Sequence, residues 1–251
     1  MNSYQQLCAE FYDIDKPAAP ADALEYYAAI VSQAGGPALE PMCGSGRLLV
    51  PLLERGHDVD GVDGSGHMLD RCRTRCAALG FNPALSQQLL HELSLSRRYR
   101  LIFIPEGSFS LVIDPNEARE SLRRMHAALV PGGRLVIDVE RYEGSENHRW
   151  PWDGRSVTRP DGARIIYSRL GHFDATRRIS YSMGRYDLVE GGKLLETEFE
   201  EFNLRQYERN EFSALLEECG FIRVQMLPHY RQNSSSPEGS LLFEAIRAES
   251  R

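Results

Sequence analysis

Between residues 38 and 139, short apolar runs alternate with segments whose apolar residues recur at helical spacing. This pattern predicts strands at 38–42, 57–62, 101–104 and 134–139, and helices at 47–55, 65–79 and 116–129. Residues 101–104 are apolar at every position, which is typical of a strand buried on both faces. Because strands that alternate with helices form βαβ units, the sequence predicts an α/β fold with a Rossmann-like, mainly parallel sheet.

The pattern changes after Tyr142, where short alternating segments are separated by turn sequences such as Pro160-Asp161-Gly162. Strands are predicted at 162–167, 172–174, 179–188 and 193–203, which together form an antiparallel meander. A helix at 208–219 closed by Gly220, strands at 221–226 and 241–246, and a Ser/Pro-rich exposed loop at 232–239 follow. We therefore expect a core of residues 1–141 and 206–251, with residues 142–205 inserted as an antiparallel β segment.

Composition and charge exclude several classes of protein. The 251 residues are 42% hydrophobic and 26% charged, which excludes wholesale disorder. The chain has a formal charge of −7 and so lacks the excess of basic residues that is typical of a nucleic-acid-binding protein. No nucleic-acid partner is therefore expected. No apolar run approaches the roughly 18 residues of a membrane span, and the N-terminus lacks a secretory signal, so we expect a cytoplasmic protein without a membrane partner. The five cysteines form no CxxC pair, which argues against a disulfide framework and a metal site.

A glycine-rich turn follows the first predicted strand in the pattern Glu40-x-x-x-Gly44-x-Gly46. Glycine lets a ligand approach the backbone and the free N–H groups at the start of the next helix. A dinucleotide fingerprint would need a third glycine at position 49, which is Leu49, so nicotinamide and flavin cofactors are disfavoured. Asp63 ends the second strand, and its two carboxylate oxygens can accept from both hydroxyls of a ribose. Together these features predict an adenosine-type ligand across the carboxyl ends of the strands.

These residues resemble the motifs of the class I S-adenosylmethionine-dependent methyltransferases. Residues 39–46 resemble the first motif, 61–69 the second, 100–104 the fourth strand, 129–135 the turn before the fifth strand, and 209–221 the helix and strand near the end. The resemblance implies a seven-stranded, mainly parallel sheet with helices on both faces. It also implies S-adenosylmethionine as the cofactor and S-adenosylhomocysteine as its product. The insertion is similar to the lid of the glycine and amino-sugar N-methyltransferase branch, which implies that residues 142–205 form a β lid over the substrate region.

The resemblance assigns the cofactor to residues near the carboxyl ends of the strands. The expected cofactor-binding residues are Tyr12, Glu40, Met42, Cys43, Gly44, Gly46, Asp63, Gly64, Met68, Gln88, Leu90 and Pro105. Glu40 is expected to accept from the methionyl amino group. Met42 stands where the family has glycine, and we expect it to pack against the methionyl portion. Gln88 or a backbone carbonyl is expected to replace the family's acid that holds the adenine amino group, and the alternative for Gln88 is a surface position. Tyr12 is expected to contact the methionyl carboxylate or the sulfonium, whose positive charge suits an aromatic ring, and the alternative is packing on the core.

The methyl acceptor is expected beside the loop after the fourth strand, which carries Glu106. Because the sulfonium methyl is already activated, transfer needs mainly alignment and a dry site, and a base helps when the acceptor arrives protonated. Glu106 is therefore the candidate catalytic residue, with loop capping as the alternative. Four side chains of the insertion either line an acceptor pocket or face solvent: Tyr167, His172, Tyr181 and Tyr186.

The predicted function is S-adenosylmethionine-dependent methyl transfer to a small polar metabolite, on nitrogen or oxygen rather than carbon. One alternative is an RNA or protein methyltransferase on the same fold. The net negative charge of the chain disfavours this alternative. So does the sequence after the fourth strand, Ile104-Pro105-Glu106-Gly107, because enzymes that methylate flipped-out bases carry an Asn-Pro-Pro-Tyr-type motif there. The other alternative is a non-catalytic cofactor-binding protein, which Met42 and the missing acid after the third strand favour. The acceptor and the oligomeric state are left open.

Overall fold

A computed structural model describes residues 4–230 and 239–249 of the chain, which form two β-sheets with helices around them. The helices are α1 Gln6–Asp15, α2 Ala21–Ala34, α3 Leu49–Glu54, α4 Gly66–Ala78, α5 Pro115–Ala128 and α6 Arg209–Glu218. The strands are β1 Ala38–Pro41, β2 Val59–Asp63, β3 Leu85–Gln87, β4 Tyr99–Ile104, β5 Leu129–Glu140, β6 His148–Thr158, β7 Arg164–Asp174, β8 Ile179–Glu190, β9 Lys193–Glu201, β10 Leu204–Arg205, β11 Phe221–Leu227 and β12 Ser240–Arg247. The predicted loop at 232–239 lies outside the described residues except for Gly239.

The larger sheet has seven strands in the order β11-β12-β5-β4-β1-β2-β3. Pairing is parallel from β5 to β3, and β12 runs antiparallel between β5 and β11. The predicted seven-stranded, mainly parallel sheet is therefore confirmed. The strand order reverses between β1 and β4, and a crevice for ligands forms at such a switch point, outside the carboxyl ends of the strands.

Helices cover both faces of this sheet, as the resemblance implies. Leu101 and Phe103 of β4 belong to a buried cluster that includes residues of α2, α3 and α4. Ile102 and Ile104 belong to a second cluster, which includes residues of α5 and α6. Both faces of β4 are therefore buried, and this burial explains its unbroken apolar run.

The smaller sheet, called the second sheet below, is antiparallel. Its path is β10-β8-β7-β6, and β9 pairs with the other side of β8. The strand β6 was not predicted, because it is an edge strand whose side chains are almost all exposed and show no apolar alternation. The predicted strands at 162–167 and 172–174 are one strand, β7. Gly171 within it does not mark a turn, since a Cβ there would collide with the Tyr181 carbonyl oxygen of β8.

The N-terminal helix α1 packs against the second sheet. Leu7, Cys8 and Phe11 of α1 form a buried cluster with residues of β7 and β8 such as Ile165 and Leu188. The helix therefore bridges the insertion and the rest of the chain, although the sequence analysis assigned residues 1–141 to the core. The domain boundaries at 142 and 206 stay a prediction.

Two further elements differ from the sequence-based expectations. Strand β5 begins at Leu129, so Pro131-Gly132-Gly133 lies within it, where the pairing with β4 is irregular. Helix α2 was not predicted, and it covers the sheet face that carries Leu101. No helix within residues 4–230 and 239–249 is both long and apolar enough to cross a membrane.

Candidate functional site

A cavity of about 450 Å³ lies at the carboxyl ends of β1, β2 and β4, at the switch point of the larger sheet. The predicted site residues that line it are Tyr12, Glu40, Met42, Cys43, Gly44, Asp63, Gly64, Met68, Gln88, Leu90, Pro105 and Glu106. Lining residues that the sequence analysis did not single out include Tyr4, Ala19, Arg47, Ser65, Leu89 and Leu111. The cavity brings together the turn after β1, the end of β2, the loops after β3 and β4, and the N-terminal segment.

The turn after β1 is built from residues with left-handed backbone conformations. Met42, Gly44 and Gly46 have φ values of 60°, 56° and 79°. Met42 thus adopts the conformation that glycine supplies elsewhere in the family, and its side chain packs against a core cluster. Gly46 is not among the residues that line the cavity. A Cβ at Gly46 would lie 2.6 Å from the Cys72 Sγ atom of α4, so glycine allows the turn to pack closely on α4. The cofactor contact of Gly46 stays a prediction.

Asp63 joins the end of β2 to this turn through backbone hydrogen bonds. Its Oδ2 atom accepts from the Gly44 N–H at 2.8 Å, and its Oδ1 atom accepts from the Ser65 N–H at 2.8 Å. Burial raises the pKa of Asp63, and these N–H groups oppose the rise. Each carboxylate oxygen keeps a second lone pair, so the fixed carboxylate can still accept from ligand hydroxyls.

Glu40 contributes a buried carboxylate to the floor of the cavity. The residue is 3% exposed, and its Oε2 atom has no hydrogen-bond partner within residues 4–230 and 239–249. Burial raises the pKa of Glu40 well above its usual value, and the nearby Arg47 charge opposes the rise. An unpartnered buried carboxylate oxygen is costly, so this position favours a ligand that donates hydrogen bonds or carries positive charge.

The Gln88 side chain holds the loop after β3 together. Its Oε1 atom accepts from the Ser94 N–H at 2.7 Å, and its Nε2 group donates to Ser86 Oγ at 2.9 Å. Its backbone N–H donates to the Asp63 carbonyl at 3.1 Å. Gln88 lines the cavity, and its amide is engaged within the loop. Its contact with an adenine amino group stays a prediction.

Glu106 and Gly107 form a left-handed turn after β4, with φ values of 58° and 71°. This turn directs the Glu106 carboxylate to Arg47, and the two side chains form an ion pair. The Arg47 guanidinium also lies 5.4 Å from the centre of the Tyr12 ring. Glu106 therefore lines the cavity as the partner of a protein cation, and its catalytic role stays a prediction. One feature of the sequence indicated that Arg47 belongs to the site, namely its position directly after the glycine-rich motif.

The N-terminal segment forms a roof that is tied to both sides of the cavity. Tyr4 and Tyr12 both line the cavity, and their rings are 6.0 Å apart. The Ser65 hydroxyl donates to the Tyr4 carbonyl at 2.6 Å, next to Asp63. On the other side, the Tyr4 N–H donates to Glu200 of β9 at 2.8 Å. The roof therefore connects the second sheet to residues that line the cavity.

The four side chains predicted for an acceptor pocket do not line this cavity. Tyr167 and Tyr186 stack on each other with ring centres 4.7 Å apart and pack on Phe11 of α1. His172 stacks on Tyr181 at 5.2 Å. The β7–β8 register places the two pairs on opposite faces of the second sheet, so alternation alone could not assign them to one pocket.

Acidic side chains at the end of β5 were missed by the sequence analysis. Asp138 is 1% exposed and lies 3.2 Å from the His229 ring nitrogen. Burial raises the pKa of Asp138, and contacts with His229, with the Ser240 hydroxyl and with the Gly107 N–H oppose the rise. Burial and the neighbouring Asp138 raise the pKa of Glu140 to about 7. These groups lie next to the loop that carries Glu106.

Comparison with known proteins agrees with this geometry. Residues 38–133 match the family model described as "Methyltransferase domain". A glycine/sarcosine N-methyltransferase of Halorhodospira halochloris is 30% identical over 112 residues, which is 44% of this chain and about two fifths (42%) of that relative.

Two solved structures share the fold over nearly the full chain. The sugar N-methyltransferase KedS8 from Streptoalloteichus has a TM-score of 0.74 at 21% identity, covering 91% of this chain and 88% of that one. The S-adenosylmethionine-bound amino pentose methyltransferase CalS10 from Micromonospora echinaspora has a TM-score of 0.69 at 19% identity, covering 99% of both chains. Residues 38–133 are therefore similar to a methyltransferase domain, and the chain has the fold of these methyltransferase structures, as its motifs predict.

Proposed function

We propose that the protein is a methyltransferase that uses S-adenosylmethionine and methylates a small polar metabolite on nitrogen or oxygen. The observation that carries this proposal is the pairing of two carboxylates in one cavity. Asp63 is held by the glycine turn, and Glu40 keeps an unpartnered oxygen. A ligand with a diol at one position and an ammonium at another suits this pair, and S-adenosylmethionine has both.

The lining of the cavity fits the other parts of the cofactor. Met68, Leu90 and Pro105 supply apolar surface for an adenine ring, and Met42 supplies it for a thioether chain. When bound, the cofactor supplies a methyl group activated by the sulfonium charge. The protein's residues then have to orient the acceptor and exclude water, since the displacement itself needs mainly alignment.

A small acceptor is supported by the enclosure of the cavity. Tyr4 and Tyr12 roof it, and α1 is held by the second sheet on the far side. A long polymer would have to displace this roof, whereas a small metabolite would fit beneath it. The likeness to a glycine/sarcosine N-methyltransferase and to the fold of a sugar N-methyltransferase further supports an amine acceptor.

The non-catalytic alternative loses part of its support in the structure. Its first argument was that Met42 replaces a glycine of the family. Met42 nevertheless adopts the left-handed conformation, at φ 60°, so the turn keeps its form. The second argument, the missing acid after β3, stands, although the Gln88 side chain gives the loop that replaces it an ordered structure.

Two measurements test the proposal in sequence. Isothermal titration calorimetry should detect binding of S-adenosylmethionine and S-adenosylhomocysteine and no binding of NAD. Transfer of a labelled methyl group should then be measured against small amines, small hydroxyl compounds, tRNA and protein fractions. Label in a small-molecule fraction supports the proposal, whereas label only in tRNA or protein refutes the small acceptor. Tight cofactor binding without transfer to any fraction would identify a binding protein.

A further inference from the structure

The second sheet has one face that packs against α1 and one face that points away from it. Tyr167 and Tyr186 lie on the first face, where they pack on Phe11 of α1. Side chains alternate along a strand, so the residues next to this pair, Ile166 and Asp187, lie on the opposite face. Ile166 and Asp187 are themselves paired across β7 and β8. This second face is called the outer face below.

The outer face exposes large apolar side chains. Cross-strand pairing places Leu170 opposite Met183, and Phe199 opposite Arg185, on this face. Its exposed apolar residues are Trp152 of β6, Ile166 and Leu170 of β7, Met183 of β8, and Leu194 and Phe199 of β9. Each of them is between 37% and 60% exposed. An antiparallel sheet that faces water usually carries polar residues on that side, so the outer face is unusually apolar for a surface exposed to solvent.

The area of this apolar surface matches that of a protein–protein interface. Six large side chains that are roughly half exposed present on the order of 500 Å² of apolar surface. A stable interface buries about 800 Å² on each partner, and somewhat more than half of that area is apolar. Burial of the outer face against one flat partner would therefore supply the apolar area that a stable dimer needs.

The polar residues at the centre of the outer face carry one charge of each sign. Arg185 Nε donates to Asp187 Oδ1 at 2.9 Å, and the Thr197 hydroxyl donates to the same oxygen at 2.6 Å. The Arg185 guanidinium also lies 5.9 Å from the centre of the Phe199 ring. In two copies related by a two-fold axis, the guanidinium of one copy can approach the carboxylate of the other. The outer face is therefore complementary in charge to a second copy of itself.

Charge also distinguishes a second copy from a membrane as the partner. Protein surfaces that bind anionic membranes are rich in lysine and arginine. This chain has a formal charge of −7, and Glu201 lies opposite Met183 on the outer face. A second copy of the chain is therefore favoured over a membrane.

We propose that the protein forms a homodimer in which the outer faces of two second sheets pack against each other around a two-fold axis. Two sheets packed in this way lie about 10 Å apart and bury the side chains between them. Met183 and Phe199 would lose most of their exposure to water in this dimer. The cavity is lined by Tyr12 of α1, on the other side of the second sheet, so the interface uses a surface that is separate from the ligand site.

Sedimentation-velocity ultracentrifugation of the full chain, over a range of protein concentrations, tests this proposal. The parent is compared with Met183→Glu and Phe199→Glu, and with the control Leu79→Glu at a 50% exposed apolar position at the end of α4. We expect the parent and Leu79→Glu to have the mass of two chains. The dimer dissociation constant of each outer-face variant should be at least about tenfold higher, because the interface would then bury a carboxylate without a partner.

Two charge-reversal variants test which residues meet across the interface. Arg185→Glu places two negative charges at the centre of the outer face, and Asp187→Arg places two positive charges there. Each variant alone should dissociate more readily than the parent. An equimolar mixture of the two should form a dimer with one chain of each, as detected by native mass spectrometry. Separate monomers in the mixture would overturn the two-fold arrangement.

The far-ultraviolet circular dichroism spectrum of each variant reports whether the variant is folded. The inference is overturned if the parent is a monomer at every concentration, or if Met183→Glu and Phe199→Glu dimerise as tightly as the parent. A monomeric parent that binds vesicles of phosphatidylcholine and phosphatidylserine, and loses this binding in both variants, would assign the outer face to a membrane instead. None of these measurements uses the cofactor, so their result does not depend on the proposed function.

Discussion

Arg47 and Glu106 form an ion pair that joins the turn after β1 to the loop after β4. The two side chains are 12% and 21% exposed, so the pair is partly shielded from water. Arg47 also lies over the ring of Tyr12, which belongs to the N-terminal roof. One guanidinium therefore links three of the segments that enclose the cavity, and its charge lies close enough to oppose the raised pKa of Glu40.

A double-mutant cycle with Arg47→Met and Glu106→Gln should give a coupling energy of about 1–2 kcal/mol in denaturant unfolding, because the pair is partly buried. The exposed pair Arg73–Asp70 on α4 serves as the comparison and should give about 0.5 kcal/mol or less. In a methyl-transfer assay, Glu106→Gln should keep turnover within about tenfold of the parent if its role is to hold Arg47. A loss of kcat by roughly a thousandfold, with stability unchanged, would assign Glu106 the proton-transfer role instead.

Removal of the Asp63 side chain should weaken cofactor binding. Asp63→Ala loses the acceptor for ribose hydroxyls and frees the Gly44 N–H that holds the turn. We expect a loss of about 1–3 kcal/mol in the binding of S-adenosylhomocysteine, measured by calorimetry. Asp70→Ala, an exposed aspartate on α4, is the matched control and should bind like the parent. Equal affinity of Asp63→Ala and the parent would remove Asp63 from the site.

Glu40 should couple cofactor binding to proton release. Because burial raises its pKa, Glu40 takes up a proton in the free protein more readily than an exposed glutamate, and a cationic amino group favours its ionised form. Binding of S-adenosylhomocysteine should therefore release protons and should strengthen as the pH rises. Calorimetry in buffers of different ionisation enthalpy measures this release. Glu40→Gln should abolish it, and Glu54→Gln, an exposed residue of α3, should not. Proton release of equal size in Glu40→Gln would assign the linkage to another group.

The parts of the site that follow from local chain geometry could be predicted from the sequence. The glycine turn and Asp63 were found because each closes a strand and the spacing of strands and helices is visible in the apolar pattern. The pairing of Arg47 with Glu106 could not be found in this way. The two residues are 59 positions apart, and only the strand order, with β1 beside β4, brings them together.

The packing of the second sheet could not be predicted from the sequence. Its strands were partly recognised from alternation, but alternation does not show which face of the sheet packs against another element. The cover is α1, which precedes β7 by about 150 residues in the chain. Tyr167 and Tyr186 were expected either to line an acceptor pocket or to face solvent, whereas they pack on Phe11 of α1. The side chains of the edge strand β6 are almost all exposed, so its apolar pattern was too weak to predict a strand.

Glu198 of β9 caps the N-terminus of α1 from the second sheet. Its two carboxylate oxygens accept from the N–H groups of Leu7 and Cys8, at 2.9 and 3.0 Å. Glu198→Ala should reduce the free energy of unfolding by about 1–2 kcal/mol, because two N–H groups of the first turn lose their acceptor. Glu196→Ala, an exposed position on the same strand, is the control and should be close to neutral.

The same substitution should also affect the cofactor. Since α1 carries the roof residue Tyr12, a loosened helix should speed the dissociation of S-adenosylhomocysteine in Glu198→Ala, as measured by stopped-flow fluorescence. A destabilised variant with an unchanged dissociation rate would show that the roof opens independently of this cap.

Glu140 should make the stability of the free protein depend on pH in a characteristic direction. Its pKa rises from 4.5 to about 7 on folding, so between these values the native state binds more protons than the unfolded state, and stability falls as the pH rises. The full loss corresponds to about 3 kcal/mol at most. Glu140→Gln has no charge to bury. Relative to the parent, it should therefore gain stability progressively from pH 4.5 to pH 7 and hold that gain at pH 8, as measured by urea unfolding. Glu143→Gln should follow the parent at every pH. A parent and Glu140→Gln with parallel profiles would mean that the Glu140 carboxylate is well solvated in the folded protein.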